Sequence, residues 1–409
     1  MNNKPAQSKT ERLRISCGRG GFVLAAMLCA VVILIILGTA LLSLGLHSRV
    51  FAVRTSSEIS ARCAADAGLT KAFYEMNEKL KVIPWDDSSL PQATDEILPN
   101  TDATYSYTVT GDMSSGYVIE SSGKSGVGEK AVLCSLSLQG PLDFAVFSNS
   151  QMVLRNSAEI DWYNYDDEDE NLKVGTNSIE AGAVELKNSI KIHGDVVVGP
   201  GGDPDTVINQ GNAITIEGDT YAASKEKRLP SPAVPAWLEE MFSGGTINNN
   251  ETITTSGKYD SIQLGNSKEI QIEGDVSLYI TGDISLGNSC KITVNDDGSS
   301  SLVIYLSGQF EGKNSSELNN GTKNPRKLKI YGMDSCTNMQ FKNSSTTYGV
   351  IYAPKADIVF HNSIDLYGAI ACKSLDLKNS AKIYYDASLR DASINDVGTC
   401  FVVKQWREE

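Results

Sequence analysis

Hydrophobic residues follow three successive patterns along the chain. From Phe22 to Leu46, twenty-five residues (FVLAAMLCAVVILIILGTALLSLGL) carry no charge. At about 1.5 Å per residue such a helix reaches roughly 37 Å, enough to cross a hydrocarbon core of about 30 Å. Residues 47–80 lack proline, and Ile59, Cys63, Ala67, Phe73, Met76 and Leu80 recur at steps that sum to threes and fours. That spacing predicts an amphipathic continuation of the same helix, with one face that needs a partner sheet. Pro84 ends it, and residues 81–100 read as a linker rich in Pro, Asp and Ser. Strict alternation then takes over within 101–140. Tyr105, Tyr107 and Val109, then Tyr117 to Ile119, then Val132, Cys134, Leu136 and Leu138 predict three antiparallel strands, a small sheet to cover the helix.

From residue 141 to 390 the alternation is cut into short pieces by a recurring Asn-Ser pair, at Asn149, Asn156, Asn177, Asn188, Asn266, Asn288, Asn314, Asn343, Asn362 and Asn379. Several intervals are 17, 19 or 22 residues, a spacing that belongs to stacked architectures. Short runs with a corner every few residues cannot form long hairpins but can wind into a right-handed parallel β-helix. Asn188, Asn266, Asn288, Asn343, Asn362 and Asn379 are the expected corner residues, since Asn tolerates left-handed backbone and its amides can bond along a column. The coils would rise by about 4.8 Å each. The prolines at 230, 232 and 235 and the helix-like AWLEEMF mark 220–256 as an excursion that caps or crosses the rod, and 391–409 reads as a tail. The fold class is therefore mainly β: a long N-terminal transmembrane and amphipathic helix, a small antiparallel sheet, then the β-helix.

The residues before the apolar run give it direction. Lys4, Lys9, Arg12, Arg14 and Arg19 oppose a single Glu11, so the positive-inside rule keeps the leader cytoplasmic and exports the rest. Arg19-Gly20-Gly21-Phe22 resembles the junction of a class III (type IV prepilin) leader, and SSEISARCAADAGL at 56–69 is similar to the stretch that follows the membrane span in PilX-type minor pilins and pseudopilins. The resemblance implies that a prepilin peptidase removes residues 1–21 and that Gly20, Gly21 and Phe22 are the processing residues. It also implies a single-pass membrane protein that meets other pilin or pseudopilin subunits in a type IV pilus or type II secretion-like system. The fifth residue after that junction is Ala26 where major pilins carry Glu, which points to a minor rather than a major subunit. YGVIYAPKA at 348–356, LYGAIACK at 366–373 and IYYDASL at 383–389 resemble the signature of an uncharacterised pilus-associated β-helical domain that brings no catalytic residues with it.

Charge and candidate chemistry refine this picture. Lys and Arg number 36 against 50 Asp and Glu, a net charge of −14, which argues against nucleic acid as a partner. Without the leader the balance is 31 against 49, so a basic leader precedes a strongly acidic exterior. Three His exclude a His-rich metal centre, and no C-x-x-C occurs among eight Cys. No cofactor is expected. Cys290 and Cys372 share parity with apolar neighbours and should point into the rod. The acidic run Asp166–Glu170 lacks the spacing and Gly of a calcium loop and reads as solvated. Asp357, Asp365 and Asp376, with Lys355, Lys373 and Lys378, could line one side of a cleft, but alternating outward charge is usual on a strand; His193 and His361 read as isolated. The expectation is a structural protein and not an enzyme, displaying its rod for assembly or for adhesion to a surface glycan or host ligand. The competing reading is a membrane-anchored β-helical polysaccharide-binding or polysaccharide-degrading protein.

Overall fold

A computed structural model describes residues 19–82, 84–164, 171–319, 321–391 and 393–408. One helix, α1, runs unbroken over Arg19–Lys79, 61 residues, as the absence of proline requires. Strands β1 (Gln92–Ile97), β2 (Thr104–Asp112), β3 (Gly116–Ser125) and β4 (Gly128–Gln139) follow as an antiparallel meander. The sheet has five strands, not three, and both additions come from segments read as linker and tail. β1 lies within 81–100, and the C-terminal strand Cys400–Glu408 returns to pair with β4. Burial alternates weakly in both, which is why neither is conspicuous in the sequence.

The remaining strands form one 26-stranded parallel sheet wound into a rod of three-faced coils. Inward positions along each strand supply one continuous apolar core, from Ile253 and Ile272 at one end to Val196 and Val207 at the other. Within it Phe310 stacks on Phe341 and Phe360 packs edge-on against Phe341, with centroids 4.6 and 4.8 Å apart, the interval of the strands themselves.

The order of coils in space is not their order in the chain. The first coil, Val146–Ser148, Met152–Arg155 and Glu159–Asn164, lies in the interior of the rod. From it the chain winds outward through Leu172–Thr176 and Gly194–Val198 to Thr220–Ala222, where that stack ends. Residues 223–245 then run back along the outside of the rod, and winding restarts at Thr246–Ile247 at the opposite end. It proceeds toward the first coil until residues 370–372 pair with 146–148, 375–377 with 152–154, and 382–386 with 159–164. The last coil thus stacks on the first.

The returning segment crosses the rod rather than capping it. Lys227 pairs with Asp143, and its backbone N–H donates to Asn177 Oδ1 (3.0 Å). Tyr352 Oη donates to the carbonyl of Pro230 (2.7 Å), and Ser231 Oγ to Asp334 (2.6 Å). The short helix Ala236–Glu239 then buries Leu238 against Tyr305, Tyr331 and Tyr352 on the outer side of the rod. Residues 393–399 join the same cluster through Val397 and the Asp396–Lys329 pair. They tie it to the helix and small sheet where Trp85 N–H donates to Asn395 Oδ1 (3.0 Å).

Asn-Ser pairs occupy the corner between the second and third faces at 156, 188, 266, 288, 314, 343, 362 and 379. The amide nitrogen of Asn188 donates to Asn156, Asn156 to Asn379, Asn379 to Asn362, Asn362 to Asn343 and Asn343 to Asn314, at 2.6–3.2 Å. Asn288 donates likewise to Asn266 at 3.3 Å. Beside it the direction reverses: each serine N–H donates to the corresponding Asn carbonyl of the adjacent coil, as in Ser380 to Asn156 (2.8 Å) and Ser157 to Asn188 (3.0 Å). The left-handed residue at these corners is the serine, with φ of 53–63° at Ser157, Ser189, Ser267, Ser289, Ser315, Ser344, Ser363 and Ser380. Only Asn156 and Asn188 share it. The assignment of left-handed backbone to Asn is corrected accordingly: the amide must aim along the column, and the small serine takes the strained turn, which costs roughly 1–2 kcal/mol. Asn149 and Asn177 belong to another corner, where they pair with each other (2.9 Å).

Ile383 and Ile160 face each other in register across the coil that joins the two stacks, both fully buried. Ile383→Ala should cost about 2–5 kcal/mol in equilibrium urea unfolding. A biphasic transition in the variant is expected as the stacks uncouple; an unchanged midpoint would refute the dependence on this joint.

Candidate functional site

Two parts of α1 behave differently. Gly20, Gly21 and Phe22 form backbone of its first turn; residues 1–18, which hold the rest of the leader, lie outside the described residues, as does the acidic run at 166–170. From Val23 to Val53 the side chains are exposed, and the most apolar stretch has none of its surface buried. An apolar surface of this length on one free helix has no place in water and fits a membrane anchor.

From Ala61 onward the same helix is clasped by the sheet. Its buried stripe is Ala61, Ala64, Ala65, Gly68, Ala72 and Met76. The predicted stripe was rotated from this one: Met76 belongs to it and Phe73 and Leu80 flank it, but Ile59 is 60% exposed and Cys63 is exposed. The physical reason is distance. A Cβ on Gly123 of β3 would collide with Ala61 O and Ala65 N, one on Gly128 of β4 with Ser57 O, and one on Gly68 with Ser121 Oγ. Helix and sheet approach backbone to backbone, so small residues rather than large apolar ones mark the contact. Ser121 Oγ, fully buried there, donates to the Ala65 carbonyl (2.8 Å).

Both sheet edges are pinned to the helix by charge. On the β1 side Lys71 pairs with Glu96, which also accepts from Tyr105 Oη (2.7 Å); Lys71 and then Tyr105 hold the Glu96 carboxyl below its ordinary range. Tyr107 Oη donates to Glu75 (2.7 Å). On the opposite edge Arg62 pairs with Glu408 and sits 5.5 Å over the Trp406 ring, so the C-terminal strand closes on the helix.

On the rod, Asp357, Asp365 and Asp376 do not converge. Asp357 bonds Lys373 (3.1 Å) and Ser374 (2.6 Å), Asp376 bonds Arg155 (2.7 Å), and Asp365 lies around the corner on the third face. That face carries features the sequence reading missed. Tyr348, Tyr367 and Tyr384 stack at 4.4 and 4.8 Å with planes 10° and 16° apart, and Tyr163 packs edge-on against Tyr367. Their flat sides are turned against one another and leave mainly edges outward. His193, read as isolated, lies between Glu217 (Nδ1 to Oε2, 3.0 Å) and Glu159 (Nε2 to Oε1, 3.4 Å). Period-two parity would have found each of these on an outward position; the stacking register, absent from the sequence, is what brings them together. Cys290, Cys336 and Cys372 are buried in the rod, and burial pushes the Cys336 thiol up to about 12.

Residues 214–392 match the model of a family described as "Domain of unknown function (DUF7305)". Comparison with curated protein sequences gives no match. Among solved structures, the chain is similar to an ice-binding protein from the Antarctic ascomycete Antarctomyces psychrotrophicus: 13% identity, TM-score 0.30, covering 61% of this chain and 96% of that one. It is similar to the ice-binding protein LeIBP from an Arctic yeast, at 12% identity and TM-score 0.33, over 61% and 94%. A third is the competence-associated pilin ComZ from Thermus thermophilus, at 11% identity and TM-score 0.25, over 86% and 98%. At such values these likenesses carry no functional argument.

Two outcomes test the geometry. Gly123→Val should lift the helix from the sheet and lower the melting temperature followed by tryptophan fluorescence, while Gly116→Ala, where a Cβ meets open space, should cost far less despite its φ of 80°. At pH 8 in the native full chain, Cys63 should react with a thiol reagent and Cys336 and Cys372 should not; equal labelling of all three before denaturation would contradict the burial.

Proposed function

We propose that the chain is a single-pass, pilin-like structural protein, a minor pilin or pseudopilin of a type IV pilus or type II secretion-like system, whose β-helix is displayed outside the membrane for assembly or adhesion. The observation that carries this reading is the division of α1. One half offers an unpartnered apolar surface to lipid or to neighbouring helices, and the other is locked into an antiparallel sheet. A cleaved secretory signal would not be built as one helix with the sheet-bound segment. The basic leader orients the N-terminus to the cytoplasm, and prepilin peptidase is the partner that would act at Gly21-Phe22. Ala26 leaves no charge in the span at the position where major subunits carry one, in keeping with a minor subunit.

The rod is proposed to be structural and to catalyse no reaction. On the late coils Asp376 is paired with Arg155 and Asp357 with Lys373, and the stacked tyrosines do not offer open ring faces to a sugar. N-terminal sequencing of the protein recovered from membranes of cells with an active prepilin peptidase should begin at Phe22. Recovery of an intact Met1 from such cells would overturn the prepilin reading.

A further inference from the structure

The third face of the rod brings together one histidine and two carboxylates that are far apart in the chain. Glu159 and Asp161 flank the inward Ile160 and so share the outward side; Ile192 stacks on Ile160, which sets His193 beside Asp161 one coil away. One ligand atom from each of Glu159, Asp161 and His193 lies within 4.8 Å of the others, and all three are half-buried. Ile216 stacks on Ile192 in turn, and places Glu217 against the far side of the imidazole.

One ligand atom of each residue faces the other two. The shorter histidine contact, Nδ1 to Glu217 at 3.0 Å, fits an N–H donated to a carboxylate. In the protonated ring Nε2–H donates to Glu159 Oε1 at 3.4 Å; in the neutral ring the Nε2 lone pair faces that oxygen and is open to a metal ion. A proton or a metal ion can occupy the space between them, so metal binding there competes with protonation of His193. Lys382 holds the other oxygen of Glu159, Oε2, at 2.7 Å, and the backbone N–H of Trp162 holds Asp161 Oδ1 at 2.8 Å. Each ligand is thus oriented from behind, as a carboxylate orients a metal-bound histidine in known sites.

We propose that Glu159, Asp161 and His193 form a binding site for a divalent transition-metal ion of the zinc type, with Glu217 as the positioning residue for the imidazole. One nitrogen and two carboxylate oxygens suit zinc and its first-row neighbours, whereas calcium takes oxygen ligands throughout. Zinc ligands stand about 2.0–2.1 Å from the ion, so binding draws the three groups closer. The site lies on the coil that receives the last coil of the rod, and the bound ion would tie 159–164 to 191–193 next to that joint.

The test uses the full chain in detergent, stripped with a chelator and dialysed against Zn²⁺ with Ca²⁺ in excess. One zinc per chain and a raised melting temperature are expected. His193→Gln and Asp161→Asn should each abolish the zinc-dependent shift, and Glu217→Gln should weaken binding 10- to 100-fold, with melting temperatures in the chelator close to that of the parent. Cobalt loading supplies a reading independent of any variant: an absorption spectrum without an intense thiolate band is expected. Absence of saturable binding, full binding retained by His193→Gln, or a thiolate band from the cysteines would each overturn the proposal.

Discussion

The rod depends on a parallel pairing between the two most distant parts of its own chain. Residues 382–386 lie on 159–164, and the Asn156–Asn379 bond spans 223 positions. Without that joint the molecule has two stacks, each with an open end of inward-facing apolar residues. With it, one apolar core runs from end to end. Parallel strands cannot be joined by short hairpins, so each level must be reached by a full coil. The chain solves the remaining connection with a single strap, residues 223–245, laid along the outside.

That strap explains an otherwise odd composition on one outer surface. Tyr305, Tyr331 and Tyr352 are outward residues by parity and would be exposed on a simple rod, yet Leu238 and Val397 cover them. Burial pushes Tyr305 up to about 12, and the Tyr352 hydroxyl is satisfied by the Pro230 carbonyl. The strap from one side and the C-terminal segment from the other meet over this tyrosine row. The latter continues to Asn395, Trp85 and the small sheet, so the rod is tied to the helix and sheet at this contact.

The division of labour along α1 follows from contrasting contacts. The membrane half is large and apolar because lipid rewards area. The clasped half is alanine and glycine because strand backbones come close, and close packing forfeits side-chain volume. The sheet edges then fix the helix with Lys71–Glu96 on one side and Arg62–Glu408 on the other, pairs of modest strength at the surface that set register more than stability.

Much of this was legible in the residue order. The uncharged run Phe22–Leu46 is long and apolar enough to cross a bilayer, and alternation between Asn-Ser corners determines a parallel β-helix, because period two marks each strand's inward side. What periodicity cannot encode is which strand lies on which. The position of the first coil inside the rod, the path of the strap, the recruitment of Gln92–Ile97 and Cys400–Glu408 into the sheet, and the meeting of His193 with Glu159 and Asp161 were all decided by tertiary structure. The helix stripe shows the same limit in miniature. Ile59 and Cys63 have the right spacing, but the partner's glycines at 123 and 128 chose the face, since only there could two backbones approach so closely.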